Sequence, residues 1–196
     1  MISSVLPTAL TVSDMDRSLA FYRDLLGFRV DTELPPAAER ERWDRYHEEV
    51  CRLQGAQIRV LYLAAPDGKT HLELIEYLSP KVPMPPRRGI HEPGTSIVAL
   101  GLSGSQAAVD RLRAAGVEVL SDPVPYTTDD GVSSHTTYFY DPDGHALEIY
   151  WGLDQIGADG RARLPEEWRA AGSIAEAVAE APAGQDTSIS DPSLRP

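Results

Sequence analysis

The stretch that decides the fold covers residues 138–151 and reads YFYDPDGHALEIYW. Two runs of apolar and aromatic residues flank Asp-Pro-Asp-Gly, which is typical of a tight turn, so the pattern predicts a β-hairpin. Because strand side chains alternate between faces, Tyr138, Glu148 and Tyr150 share one face of it. A carboxylate within an apolar strand is costly to bury unless it meets a cation, a metal or a substrate. Glu148 is therefore the first candidate site residue.

The same order of elements occurs twice along the chain. Gly27 and Gly116 lie 89 positions apart, and each ends a predicted amphipathic helix that is flanked by strands. The second half continues with predicted strands at 117–121, 135–140 and 146–151. The last predicted strand carries Glu73 in the first half and Glu148 in the second. We therefore predict an α+β fold of two βαβββ modules, with paired, cupped mixed sheets and flanking helices.

The segments outside the repeated elements differ in composition. A charged insertion at 35–54 is predicted to hold a short helix, and the end of the chain has too little apolar area to offset the entropy of ordering. The predicted segments are, in order, the first module at 5–80, a proline-rich crossover at 81–94, the second module at 95–152, a C-terminal extension at 153–182 and a disordered tail at 183–196.

Composition and charge narrow the classes of partner. Thirty acidic and eighteen basic residues give a formal charge of -12, which disfavours nucleic acids and anionic membrane surfaces. The sequence contains no run of eighteen apolar residues and begins without a signal-peptide pattern. Its single cysteine, Cys51, forms no internal disulfide. We predict a cytoplasmic protein that binds a small molecule and neither nucleic acid nor membrane.

Two motifs stand out in the repeated elements. The first is VSDMDRSLAFY at 12–22 with LLGF at 25–28, and the second is DPDG at 141–144 followed by Leu147 and Glu148. Both resemble motifs of the vicinal oxygen chelate superfamily, which includes glyoxalase I, extradiol dioxygenases and bleomycin-binding proteins. The resemblance covers about 6–151 and implies the fold. It says little about the reaction, because this family places many chemistries on one cupped sheet.

The resemblance also implies where a metal ion binds in the metal-dependent members. The two family Glu positions match Glu73 and Glu148, whereas the two first-strand His positions fall on Pro7 and Ser96. Proline has no side-chain ligand and serine is a weak one, so we expect a site without the usual metal and without a bound cofactor. A divalent ion on Glu73 and Glu148, with His71 or His135 as a substitute ligand, stays open.

Tyr138 precedes Glu148 by ten residues, a spacing similar to that of a tyrosine in extradiol dioxygenases. Ring cleavage, however, needs Fe(II) held by two His and one Glu, and both first-strand His are missing. The resemblance therefore implies the fold of the dioxygenases without their ring-cleavage reaction. Tyr138 stays a candidate hydrogen-bond donor beside Glu148.

Three functions remain open from the sequence. The one we favour is an enzyme of the lyase, isomerase or cyclase type that acts on a small oxygenated metabolite, with Glu73 and Glu148 as acid and base. Tyr138, His71 and His135 are its auxiliary proton carriers. The alternatives are a non-catalytic drug-binding protein of the bleomycin-resistance kind and a divergent metal-dependent glyoxalase or dioxygenase. The resemblance implies a homodimer, and whether the two Glu meet within one chain or across the dimer stays open.

Overall fold

The computed structural model describes residues 7–68, 70–101, 106–127 and 133–151. The predicted C-terminal extension and tail lie outside these residues. The elements are β1 (Thr8–Val12), α1 (Met15–Leu19), a π-helical turn that continues it (Ala20–Leu25), β2 (Arg29–Leu34), a 3-10 turn (Ala37–Glu39), α2 (Arg40–Cys51), β3 (Gln57–Ala64), β4 (His71–Ser79), β5 (Ile97–Gly101), α3 (Gln106–Ala114), β6 (Val124–Thr127), β7 (Ser133–Tyr140) and β8 (Ala146–Trp151). Neither helix nor strand forms between β4 and β5, where the crossover is predicted.

The strands form two mixed sheets with the same topology. Their orders are β1-β4-β3-β2 and β5-β8-β7-β6 in the described part of the chain. In each sheet the first and last strands of the module pair in parallel, and the remaining pairs are antiparallel. This arrangement confirms the predicted α+β fold of two βαβββ modules.

One predicted strand lies elsewhere. Residues 117–121 form a single bridge, from Val119 to Phe139, and the strand in this position is β6, which begins at Val124. The hydroxyl of Thr137 donates a 2.9 Å hydrogen bond to the carbonyl of Ser121, and Pro123 then has no N–H to offer to a ladder. The chain therefore leaves β7 at this point and pairs with it again only along β6.

The hydrophobic core formed by the described residues lies between the two sheets. Leu72 and Leu74 of β4 share this core with Leu147 and Ile149 of β8. Helix α1 and its π-helical turn lie between the sheets, and Phe21 meets Phe139 of β7 with 6.3 Å between ring centroids. Each sheet therefore turns one face, its inner face, toward the core and the opposite, outer face away from it.

The Asp-Pro-Asp-Gly turn ties the second module to the first. The buried Tyr22 hydroxyl donates a 2.8 Å hydrogen bond to Asp141, whose other oxygen accepts the backbone N–H groups of Asp143 and His145 at 2.9 and 2.8 Å. Arg17 donates to Asp143 at 2.7 Å. These contacts confirm the predicted hairpin and hold it against α1.

The charged insertion forms α2, as predicted. Arg40 donates to the carbonyl of Ile58 at 2.8 Å, and the Sγ of Cys51 lies 3.4 Å from the hydroxyl of Tyr77. Ile58 and Val60 of β3 are buried although they lie outside the shared core, because α2 contacts β3 on its outer face. Among the described residues, no helix combines the length and apolarity that crossing a bilayer requires.

The substitution Tyr22→Phe is expected to lower the free energy of unfolding by about 1–3 kcal/mol, because it leaves a buried carboxylate oxygen without its donor. Urea denaturation followed by circular dichroism measures the change. The exposed Tyr46 on α2 supplies the matched control, since Tyr46→Phe removes the same hydroxyl at a site where the expected change is below about 0.5 kcal/mol. Equal effects of the two substitutions would contradict the role of the Tyr22 hydrogen bond.

Candidate functional site

The outer face of the first sheet carries a row of three side chains in register. Glu73 of β4 lies between Ala9 of β1 and Tyr62 of β3. The Tyr62 hydroxyl donates a 3.3 Å hydrogen bond to Oε1 of Glu73. Burial and the adjacent carboxylate together raise the pKa of Tyr62, so this phenol stays protonated and acts as a donor.

The outer face of the second sheet carries the same row. Glu148 of β8 lies between Ala99 of β5 and Tyr138 of β7, whose hydroxyl donates to the carboxylate. Burial raises the pKa of Glu148, and the hydrogen bond from Tyr138 partly opposes that shift. The pKa of Tyr138 is raised by burial and then by Glu148. An Ala-Glu-Tyr row is thus repeated, strand for strand, in both modules.

Of the four polar members of these rows, three were predicted from the sequence and one was missed. Glu73, Glu148 and Tyr138 were predicted, and the register places Tyr138 directly beside Glu148. Tyr62 was overlooked. It precedes Glu73 by eleven positions, and Tyr138 precedes Glu148 by ten, so the duplication of the module already contained the signal.

His71 lies on the same face as Glu73. The two residues are alternate members of β4, and His71 pairs with Ala64 as Glu73 pairs with Tyr62. Extending the parallel register by one residue puts Pro7 next to His71. His71 therefore lies on the same face as the Tyr62-Glu73 pair, and its role as an auxiliary proton carrier stays a prediction.

His135 does not join Glu148, so this part of the prediction is wrong. His135 pairs with Trp151, and it lies three positions before Tyr138 on β7, which puts the two side chains on opposite faces. Its ring stacks on Trp151 with 5.2 Å between centroids and 8° between planes. The prediction failed because it assigned His135 to the strand that carries Tyr138 without following the alternation along it.

The register also corrects the first-strand position in the second module. Ala9 pairs with Glu73 and Ala99 with Glu148, so equivalent residues of β1 and β5 are 90 positions apart. Pro7 is therefore equivalent to Ile97, and the predicted equivalent, Ser96, lies one residue away from that position. The offset of 89 came from the helices and does not extend to these strands. Ile97 offers no ligand atom.

The residues on the outer faces do not fit the family's set of two imidazoles and two carboxylates. Pro7 and Ile97 occupy the first-strand positions, and the residues in register with the two Glu are alanines. Within the residues that the structure describes, no three His, Cys, Asp or Glu side chains cluster as a metal site. A metal ion bound here would need other donors in place of the two missing imidazoles.

The fold of one chain separates the two carboxylates. Leu72 and Leu74, which flank Glu73 in sequence, point into the shared core, and so do Leu147 and Ile149 around Glu148. Both Glu side chains therefore lie on outer faces, with α1 and the core between the two sheets. The described residues thus form two separate half-sites, the Glu73 half-site with Tyr62 and the Glu148 half-site with Tyr138.

The family of the chain follows from a match to a family model. The model of the Glyoxalase/Bleomycin resistance protein/Dioxygenase superfamily matches residues 4–149, which include both modules. The chain belongs to this superfamily. The resemblance seen in the sequence motifs is thereby confirmed.

Several members of the superfamily are similar to this chain. A "Probable lactoylglutathione lyase" of Vibrio parahaemolyticus is 26% identical over 147 residues, which cover 74% of this chain and 88% of that protein. A glyoxalase family protein from Bacillus cereus superposes with a TM-score of 0.65 at 18% identity, covering 78% of this chain and 96% of the other. A fosfomycin resistance protein from Listeria monocytogenes, solved with Mn(II) and sulfate, superposes with a TM-score of 0.50 at 15% identity. The match covers 79% of this chain and 97% of the other. The structural similarities show the superfamily fold.

The substitution Glu148→Gln is expected to raise the free energy of unfolding at about pH 7. Burial raises the pKa of Glu148 above its ordinary value of 4.5, so ionisation at neutral pH costs folding free energy. Protonated Glu148 contributes fully to the stability of the fold at pH values below its pKa in the unfolded chain. That contribution is lost as the pH rises through its higher pKa in the folded chain. The advantage of the amide should therefore be largest near neutral pH and shrink toward about pH 4.

Urea unfolding of both proteins at these two pH values measures the difference. The exposed Glu49 on α2 provides the control, and Glu49→Gln is expected to change stability by less than about 0.5 kcal/mol at either pH. A Glu148→Gln protein that is less stable than the natural chain near neutral pH would show that Glu148 gains more from its contacts than it loses by burial.

Proposed function

We propose that this chain is a superfamily enzyme that moves protons on a small oxygenated metabolite, as an isomerase, cyclase or lyase, without the usual His and Glu metal site. The observation that carries the proposal is the Tyr-Glu pair repeated in register, Tyr62 with Glu73 and Tyr138 with Glu148. Each carboxylate accepts one hydrogen bond from its tyrosine, and its remaining lone pairs can still accept a proton from a substrate.

The two carboxyl groups take different roles in this mechanism. Glu148, whose pKa is raised by burial, is the general acid, and Glu73 is the general base. The Glu73 carboxylate removes a proton from the carbon next to a substrate carbonyl, the C–H electron pair forms the enol double bond, and Glu148 protonates the carbonyl oxygen. Return of a proton to a neighbouring atom completes an isomerisation, and loss of a leaving group completes an elimination. Tyr62 and Tyr138 hold the carboxyl groups in place.

A homodimer brings the two roles together in this proposal. The Glu73 half-site of one chain and the Glu148 half-site of its partner form one cup, so that two chains make two equivalent cups. The separation of the two carboxyl groups on the outer faces of different sheets supports this, and so does apolar surface beside the Glu148 half-site, where Ile97 is 41% and Val124 60% exposed. Enclosure by a second chain would remove water from both carboxyl groups.

Two further features agree with the proposal. A relative with the name lactoylglutathione lyase makes a lyase-type reaction a reasonable class for the first substrate screen. Cys51 is free and exposed, which suits the reducing cytoplasm that the sequence predicts. The alternatives of a drug-binding protein and of a divergent metalloenzyme are outcomes of the following experiment.

Incubation of S-lactoylglutathione in deuterium oxide is the first test. The enzyme is expected to exchange the hydrogen on the carbon next to the thioester carbonyl, which proton NMR detects as loss of that signal. Glu148→Gln should slow exchange at least about a hundredfold, the size of a general acid-base contribution. The same experiment applies to a panel of small hydroxy and keto compounds if this thioester is not accepted.

The controls separate the three functions. Tyr46→Phe removes a hydroxyl from an exposed side chain of α2, outside the Tyr-Glu pairs, and should retain exchange. Chelation by EDTA should leave the rate unchanged. Loss of exchange on chelation, with recovery on added Mn²⁺, would support a divergent metal site that includes His71. Tight binding of panel compounds without any exchange would support a binding protein.

Mixing two inactive variants tests the composite cup. Glu73→Gln and Glu148→Gln chains, combined by unfolding and refolding together, form mixed dimers in which one of the two cups has both carboxyl groups. Random assortment is expected to restore about a quarter of the natural activity. Size-exclusion chromatography with light scattering establishes the dimer independently. No recovery in a confirmed dimer would show that the two carboxyl groups do not act across chains.

A further inference from the structure

A second cavity lies at the opposite end of β4 from the Glu73 half-site. It has a volume of about 500 Å³, within the range of small-molecule sites. Tyr77, which lines it, lies four residues beyond Glu73, or roughly 13 Å along the strand. Its other walls come from the end of β1, the crossover and the hairpin turn. The lining residues that matter here are Ser13, Tyr77, Lys81, Val82, Met84 and Asp143.

The proline-rich crossover makes this cavity apolar. Pro80, Val82, Pro83, Met84 and Pro85 all line it, and carbon atoms make up most of its surface. Val82 and Met84 are 77% and 52% exposed. Apolar side chains that face an open cavity are in contact with water, so covering them with an apolar group is favourable.

The ionic groups of the cavity wall already have counter-charges. The ammonium of Lys81 lies 3.2 Å from Oε1 of the buried Glu76, and the buried Asp143 accepts a 2.7 Å hydrogen bond from Arg17. A further carboxylate lies near Lys81. Hydrogen bonds from backbone N–H groups, foremost that of Arg17, lower the pKa of Asp14, and the charge of Lys81 adds to this lowering. A charged ligand would therefore bring an unmatched charge into the described wall.

The Lys81 ammonium nevertheless keeps hydrogen atoms that it can donate. A lysine has three N–H donors, and the described contacts of Lys81 use one of them, toward Glu76. The Lys81 side chain is 59% exposed, so a molecule in the cavity can reach it. Ser13 accepts a 2.8 Å hydrogen bond from Arg17, and its own hydroxyl hydrogen has no acceptor among the described residues. The wall thus offers donors to an oxygen atom of a ligand.

We propose that this cavity binds an uncharged small molecule with an apolar body and a carbonyl oxygen, which accepts a hydrogen bond from the Lys81 ammonium. The apolar body lies against Val82 and Met84 of the crossover. A carboxylate in place of the carbonyl would lie beside Glu76 in a chain of formal charge -12, and an ammonium would lie beside Lys81. This carbonyl site is separate from the two half-sites and does not depend on the function proposed for them.

Methionine methyl groups report directly on this site. The chain has three methionines, of which Met84 lines the cavity and Met15 is buried in the shared core. We expect benzylacetone, an uncharged aryl ketone, to shift the Met84 resonance saturably and to leave Met15 in place when it is titrated into protein with carbon-13-labelled methionine methyls. Met84→Leu assigns the signal. An unmoved Met84 resonance at millimolar probe would overturn the proposal.

Two charged analogues test the preference for an uncharged ligand. In 3-phenylpropanoate a carboxylate oxygen replaces the ketone methyl group of benzylacetone, and in 3-phenylpropylamine an ammonium group ends the same phenylalkyl chain. Both are expected to bind at least about fivefold more weakly than benzylacetone, as measured by the same Met84 shift. Equal or tighter binding of either analogue would overturn the proposal without the use of any variant.

Two variants separate the hydrogen bond from the ion pair. Lys81→Met keeps an unbranched apolar chain and removes the donor, so it should weaken benzylacetone about tenfold. Glu76→Gln keeps the ammonium and leaves its charge unmatched, so it should retain benzylacetone within about twofold and tighten 3-phenylpropanoate at least about fivefold. Thermal melts near that of the natural chain confirm folding.

The outcomes are distinct. Unchanged benzylacetone affinity in folded Lys81→Met protein would contradict the role of Lys81. Equal weakening by both variants would show that the ion pair shapes the cavity and that the ammonium does not bind the ketone. The two charged analogues decide the question on the natural chain if Lys81→Met does not fold.

Discussion

The packing of α1 between the two sheets is the constraint on which the other features depend. Helix residues such as Met15, Phe21 and Tyr22 are buried on several sides because both sheets contact them. Once each sheet has turned its leucine and isoleucine side chains toward this helix, the alternation of strand residues leaves Glu73 and Glu148 on the outer faces. The placement of the candidate site thus follows from where the core lies.

The fold and the two Glu positions were predictable because they depend on local patterns that repeat. The amphipathic helices, the glycines that end them and the Asp-Pro-Asp-Gly turn occur in the same order in both halves, and so does a Glu in the last strand. The errors arose where register decides the outcome. Ser96 and the strand at 117–121 required knowing which residue faces which across two strands, whereas His135 required following the alternation along one strand, where an odd spacing reverses the face. Tyr62 was missed because the pairing inferred for Tyr138 and Glu148 was not carried over to the equivalent strands of the first module.

The repeated Ala-Glu-Tyr row has a physical meaning beyond the duplication. The alanine in register with each Glu is small and apolar, whereas the tyrosine on the other side supplies a donor whose raised pKa keeps it protonated. A carboxyl group with a phenol beside it suits hydrogen-bonded contact with an organic molecule. The same positions offer no nitrogen atom with which to complete a metal site of the family kind.

The helix α2 breaks the symmetry that the two modules otherwise share. It covers the outer face of β3 next to Tyr62, whereas at most five residues separate β6 from β7, too few for a helix of this length. In the proposed composite cup, α2 therefore borders the Glu73 half-site, and no described helix lies in the equivalent place beside the Glu148 half-site. A molecule held between two near-identical Tyr-Glu pairs would otherwise bind equally well in two opposite orientations, and helix α2 distinguishes the two ends of the proposed cup.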